Sequence, residues 1–170
     1  MKKAILTKSA LLISLFVLLS GTTSAYGGSS PFRDLVDLNG KYANAETSVG
    51  NGKWTLVMIW ATDCVPCKIQ KPKVSAFYKE YKDTLADVFG IALDGPSQLK
   101  IVNDYITEHQ PAFPNFVGDR LMMETNYTNL TGNNLLVTPT YLLFNPSGEL
   151  KGNSSGEISA AGILNFINNQ

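Results

Sequence analysis

Leu56-Val57-Met58-Ile59-Trp60-Ala61-Thr62-Asp63-Cys64-Val65-Pro66-Cys67-Lys68 decides the reading of this chain. Cys64 and Cys67 are the only cysteines among its 170 residues. Trp54 to Trp60 is nearly all apolar and partly β-branched, which predicts a strand buried on both faces. Residues 65–82 read as a helix, with Ile69, Val74, Phe77, Tyr78 and Tyr81 at helical spacing as core positions and Pro72 expected to kink it. A strand feeding Cys-x-x-Cys at a helix N-terminus is a redox arrangement. The helix end offers unpaired N–H groups and a partial positive charge, and both favour a thiolate at Cys64, the reactive form of cysteine. Pro66 suits the first helical turn, where its missing N–H costs nothing. Cys67 is within reach to close a disulfide or to resolve a mixed one.

The N-terminus reads as a secretory signal. Lys2, Lys3 and Lys8 form a basic region, Ala10 to Leu19 an apolar one, and Thr23-Ser24-Ala25 offers small residues for cleavage before Tyr26. Residues 1–25 are therefore assigned as a signal peptide and 26–31 as a linker. The apolar run is shorter than the roughly 20 residues of a membrane span; extension through Gly21 leaves an N-terminal membrane anchor as the alternative. Either way the chain is directed to an extracytoplasmic, periplasm-like compartment. The whole chain carries 14 basic and 14 acidic residues. Without the signal's three lysines the remainder has a net charge of about −3, and no basic cluster points to nucleic acid. Residues 32–170 make one domain, long enough to bury a core. In an oxidising compartment a Cys-x-x-Cys pair is either an active site or a structural bridge, and a bridge closing so small a loop constrains the unfolded chain little.

Along the rest of the chain, Phe32 to Leu38 reads as a strand running into a turn at Asn39-Gly40. Val88 to Leu93 is a second buried strand, Ser97 to His109 a helix with Leu99, Ile101, Val102, Tyr105 and Ile106 inward, and Phe113 to Val117 a short strand. Residues 120–131 are a short helix or an irregular cap. Thr140 to Phe144 and Glu149 to Asn153 are strands around a Pro146-Ser147-Gly148 turn, and Ser159 to Asn168 is a final helix. The order β-α-β-α-β then β-β-α predicts an α/β fold, a mixed central sheet with helices on both faces. His109 is the only histidine, so no metal site is expected from it and two cysteines alone. A peroxiredoxin-like role would need a different cysteine environment.

The segment Trp60-Ala61-Thr62-Asp63-Cys64-Val65-Pro66-Cys67-Lys68 resembles the active-site motif of the thioredoxin superfamily, and more narrowly of its exported TlpA-like thiol–disulfide oxidoreductases. Pro72 sits where that family's active-site helix has its kink. Val137-Thr138-Pro139-Thr140, before a strand, is similar to the family's cis-proline loop, and Asp37-Leu38-Asn39-Gly40-Lys41 to its N-terminal β-hairpin. The resemblance covers about residues 32–170 and implies a thioredoxin-like fold. It also implies that Cys64 and Cys67 are the catalytic pair, a redox-active disulfide with no further cofactor. Pro139 would be cis beside Cys64, with the Thr138 backbone free to bond substrate chain. Trp60 is placed with Thr138 and Pro139 in contact with substrate, and Asp63, Val65, Pro66 and Lys68 support the site. Two departures stand out. The family's carboxylates before and after the motif are replaced here by Met58 and Gln70. The proton of Cys67 is left to water or another group; Asp63 is either that group or simply solvated, with Lys68 offsetting its charge.

The resemblance implies a thiol–disulfide oxidoreductase acting on envelope proteins, as a reductase recharged by a membrane electron donor. The same cysteines serve a dithiol oxidase or isomerase if the potential is high, and a non-catalytic thioredoxin-fold binding module is the third reading. The segment Asp119 to Asn134 is expected to frame the site, with Met122, Met123 and Tyr127 either touching substrate or packing in the core.

Overall fold

A computed structural model describes residues 32–170; the signal peptide and linker assigned to 1–31 lie outside the described residues. The sheet has seven strands: β1 Leu35–Val36, β2 Tyr42–Ala43, β3 Trp54–Trp60, β4 Ala86–Ala92, β5 Asn115–Val117, β6 Thr140–Phe144 and β7 Leu150–Ser155. Their order across the sheet is β2-β1-β5-β4-β3-β6-β7. β3 runs parallel to β4 and β4 to β5, while β6, β7 and the β1–β2 hairpin are antiparallel to their neighbours. Four helices cover it: α1 Val65–Tyr81, α2 Leu99–His109, α3 Arg120–Thr131 and α4 Ala160–Asn168. This is the mixed α/β architecture expected.

The period of two along a strand sorts β3 into two cores. Leu56, Met58 and Trp60 face α1, α2 and α4, in a cluster with Val74, Phe77, Val102, Tyr105 and Ile163. Val57 and Ile59 face the other way and pack with Phe32, Phe89, Met123, Tyr127 and Phe144, under α3 and the N-terminal segment. Every residue of β3 is buried, which explains why its sequence shows no polar alternation.

Three local expectations are corrected. The strand placed at 32–38 shrinks to Leu35–Val36, because Asp34 takes a left-handed backbone (φ 61°) that interrupts an extended run. Its turn is a longer loop closed by Asp37, whose carboxylate accepts the N–H groups of Lys41 (2.9 Å) and Asn39 (2.8 Å); these bonds hold the Asp37 carboxyl below the usual carboxylate range. Of Asn39 and Gly40, only Gly40 uses positive φ. In α1 the inward face is Cys67, Gln70, Lys71, Val74 and Phe77, whereas Ile69 is 60% exposed. Cys67, Lys71 and Val74 lie at i, i+4 and i+7; Ile69 is two residues from Cys67 and so falls on the opposite side. Ile101 of α2, also expected inward, is likewise exposed.

Gly90 in β4 lies between Met58 of β3 and Asn115 of β5. A Cβ there would stand 2.1 Å from Asn115 Oδ1 and 2.9 Å from Trp60 Nε1. The missing side chain lets the indole donate to Asn115 Oδ1 at 3.0 Å across the sheet. Gly90→Ala is therefore expected to lower stability by about 1–3 kcal/mol, the usual cost of overpacking. Urea unfolding followed by tryptophan fluorescence measures this, and an unchanged midpoint would show that the close approach is not constraining.

Candidate active site

The C-terminal ends of the parallel strands β3 and β4 meet the start of β6 at one edge of the sheet. In open α/β sheets this edge is where sites form. β3 ends at Trp60, and the chain turns through Ala61-Thr62-Asp63 into α1. The turn is tied to the loop after β4: the Thr62 N–H donates to the Asp94 carboxylate at 3.2 Å, and the Thr62 hydroxyl bonds the same group.

Cys64 is the N-cap of α1, and its Sγ accepts the Cys67 N–H at 3.1 Å. The two sulfurs are bonded as a disulfide with a Cα–Cα distance of 5.3 Å. Val65 and Pro66 form the first turn; both are exposed, and proline's missing N–H leaves the Cys67 N–H to serve the cap. The two sulfurs are not equivalent. Cys64 keeps 8% of its surface accessible and Cys67 none.

β6 begins at Thr140, paired with Ile59, so Pro139 lies level with Trp60 and beside the motif. The Thr138–Pro139 peptide bond is cis. The loop is stitched from behind: the Thr140 hydroxyl donates to Val137 O (2.6 Å) and bonds the Ser155 hydroxyl (2.8 Å), and the Gly156 N–H donates to Pro139 O (2.8 Å). Pro139 is buried and Thr138 half-buried, while Leu136 and Val137 before them are exposed.

The remaining expected site residues divide. Trp60 has no accessible surface and bonds Asn115, so it underlies the motif instead of touching substrate. Asp63 is exposed, the solvated alternative. Lys68 is exposed, and its Nζ lies 5.8 Å over the Tyr105 ring. Met58 is fully buried and apolar. Gln70 is buried and accepts the Ile158 N–H at 3.3 Å, a link between α1 and the turn before α4. Met123 and Tyr127 are core, and Met122 is half out in solvent. His109 ends α2 with its ring 4.2 Å from that of Tyr105.

One group that the sequence reading passed over lies beneath the motif. Lys71 is 3% exposed, and its Nζ makes no hydrogen bond among the described residues. The nitrogen sits 2.9 Å from the centre of the Trp60 ring and 4.2 Å from that of Tyr105. Burial brings its pKa down to about 6; Asp94 pulls it up and Lys68 pushes it further down. The signal for it was present: Lys71 is one helical turn from Cys67, on the stripe that a buried Cys67 defines.

A profile of the AhpC/TSA family matches residues 31–152. The chain belongs to this family. Its relatives include the thiol-disulfide oxidoreductase ResA of Bacillus subtilis (strain 168), 26% identical over 142 residues, 84% of this chain and 74% of that protein. ResA of Oceanobacillus iheyensis is 35% identical over a shorter stretch, 37% of this chain and 32% of that protein's length. Among solved structures, a thioredoxin-family thiol:disulfide interchange protein from Chlorobium tepidum TLS superposes with a TM-score of 0.62 at 23% identity, covering 78% of this chain and 88% of that one. The thioredoxin-like fold and the resemblance read from the motif are thereby borne out.

A buried amine that is uncharged when folded and charged when unfolded makes stability depend on pH. Between about 6 and the ordinary lysine value near 10.4 the unfolded chain binds the extra proton, so stability rises with pH through that window and is lost as pH falls. Lys71→Met, of similar shape and without charge, is expected to be more stable than the parent at pH 6 and by a smaller margin at pH 9. Urea unfolding of the oxidised forms at both pH values measures the difference; a margin equal at both would mean that Lys71 is charged in the fold.

Proposed function

We propose that this chain is an exported disulfide reductase. The coarser activity, thiol–disulfide oxidoreduction, rests on the dithiol at a helix N-terminus, the family and the relatives that carry that name. Direction, compartment and partners are inferred beyond that activity. The observation that carries the division of labour is the unequal exposure of the two sulfurs.

In the disulfide form the Cys67 N–H points at Cys64 Sγ at the helix N-terminus, an arrangement that favours the Cys64 thiolate once the bond is reduced. The accessible Cys64 attacks one sulfur of a substrate disulfide, and the other substrate sulfur leaves with the electron pair. Cys67, shielded from solvent and three residues away, then attacks Cys64 and releases the second substrate thiol, leaving the Cys64–Cys67 disulfide. Thr138 offers backbone groups beside this bond: among the described residues neither its N–H nor its carbonyl is used in a backbone hydrogen bond. An extended segment of substrate chain lying there would be held next to the reacting sulfurs. Val65, Leu136 and Val137 supply exposed apolar contacts around it.

The substrates are protein disulfides of the cell envelope, reached by export through residues 1–25, either cleaved or retained as an anchor. A membrane electron donor restores the dithiol. Three measurements test the reading. Cys67→Ser is expected to accumulate mixed disulfides with client proteins, and Cys64→Ser to lose turnover. A reduction potential near roughly −270 mV fits a reductase, whereas one near roughly −120 mV would make the protein an oxidant and overturn the direction. Normal turnover in Cys64→Ser would overturn the site.

A further inference from the structure

We infer that Lys71 is the proton acceptor for Cys67 in the resolving step, an assignment that rests on the dithiol-exchange reading above. The chemistry creates a need for such a group. Cys67 has no accessible surface, so solvent does not reach its thiol freely. With an ordinary thiol near pKa 8.5, only about 3% would be thiolate at pH 7. The two positions where the family resemblance implies a carboxylate hold Met58, which is apolar, and Gln70, whose amide oxygen accepts the Ile158 N–H. Asp63 is out in solvent.

Lys71 meets the need by placement. Cys67 and Lys71 are separated by one turn of α1 on the same buried face, where i and i+4 side chains are neighbours. The amine lies in a pocket walled by Trp60, which ends the strand leading to the motif, and by Tyr105 of α2. Nζ has no hydrogen-bond partner among the described residues, so its lone pair is uncommitted when the group is neutral. The charged groups around it are few. Asp94, held by Thr62, faces it from the loop after β4, and Lys68 from α1. Tyr105 faces it from α2, with His109 tilted against that ring and Glu108 beyond. Burial keeps the amine largely unprotonated at neutral pH, the form able to accept. Once protonated it is a cation over two aromatic faces with a carboxylate nearby, a setting that tolerates the charge briefly.

The step balances. In the mixed disulfide, substrate sulfur is bonded to Cys64 Sγ. The Cys67 S–H proton passes to Lys71 Nζ as the sulfur's electron pair forms the Cys64–Cys67 bond. The Cys64–substrate bond breaks, and its electron pair leaves on the substrate sulfur. That thiolate takes a proton from solvent, and Lys71 returns its own to solvent. Two electrons have passed from the dithiol to the substrate disulfide.

The test is the reaction of the reduced protein with one equivalent of the aromatic disulfide DTNB in stopped flow. The first equivalent of coloured thiolate reports attack by Cys64, and the second reports resolution by Cys67. Lys71→Met is expected to leave the first phase unchanged and to slow the second by about tenfold to hundredfold at pH 7. The defect should narrow as pH rises, because hydroxide then takes over the removal of the Cys67 proton. A merely structural role would not give a defect that narrows with pH. Lys71→Arg, a cation that does not accept a proton, is expected to be as slow as Lys71→Met; parent rates in either variant overturn the assignment. Should the variants fail to fold, the parent alone decides. The Lys71 Cε–Hε NMR signal is expected to titrate near 6 in the oxidised protein and at a different pH once Cys67 is reduced. An ordinary titration near 10 in both forms overturns the assignment. Absence of the first phase in the reduced parent would instead refute dithiol exchange itself.

Discussion

The indole of Trp60 joins the core to the chemistry. It ends a strand that is buried along its whole length, fills the space that Gly90 leaves open, and is oriented by a hydrogen bond from Nε1 to Asn115. Asn115 is held in turn, its Nδ2 donating to Phe113 O at 2.8 Å. The chain therefore leaves β3 in a fixed direction, and the three residues that follow have only to reach the cap of α1. Asp94 fixes that short link through Thr62, so the end of β4 also sets where Cys64 stands. Two independent anchors on neighbouring strands are what make a strand-to-helix turn rigid enough to hold a reactive sulfur at a helix end.

That rigidity explains how much of the site was legible beforehand. The strand Trp54–Trp60, the helix from Val65, and the strand Thr140–Phe144 after Thr138-Pro139 stand where pattern placed them. Each is announced by local chemistry: an unbroken apolar run, a proline in the first turn, a proline before a β-rich segment. What was not legible depends on which way an element is turned. α1 carries Ile69 outward and Lys71 inward, an inversion of what polarity alone suggests. Burial of Cys67 fixes the rotation, and a lysine one turn along has no choice but to follow. The Thr62–Asp94 contact joins residues 32 apart and has no local signature. Region 120–131, left open between helix and cap, is a regular helix because Asp119 accepts the Met122 N–H at its start and Gly132 takes a left-handed backbone at its end.

The exposed apolar residues belong to the same design. Isolated surface hydrophobes need no explanation. Here Val65 adjoins Cys64, and Leu136 and Val137 lead into the loop that lies level with it. α1 presents Ile69 to solvent on the side away from its buried cysteine. Apolar side chains thus stand exposed next to a cysteine that is itself almost wholly buried.

The buried amine ties these points together. An unpaired lysine inside a core costs free energy unless its charge is lost. Natural cores keep such groups where the chemistry needs a perturbed base more than the fold needs the stability. In this chain the cost falls at the point where Trp60, Tyr105 and α1 converge under Cys67. An apolar side chain of similar length at 71 would avoid the cost of burying an amine and leave the shielded thiol with no internal group to take its proton. The placement of the charge is thus intelligible as part of the redox site and hard to account for as part of the fold.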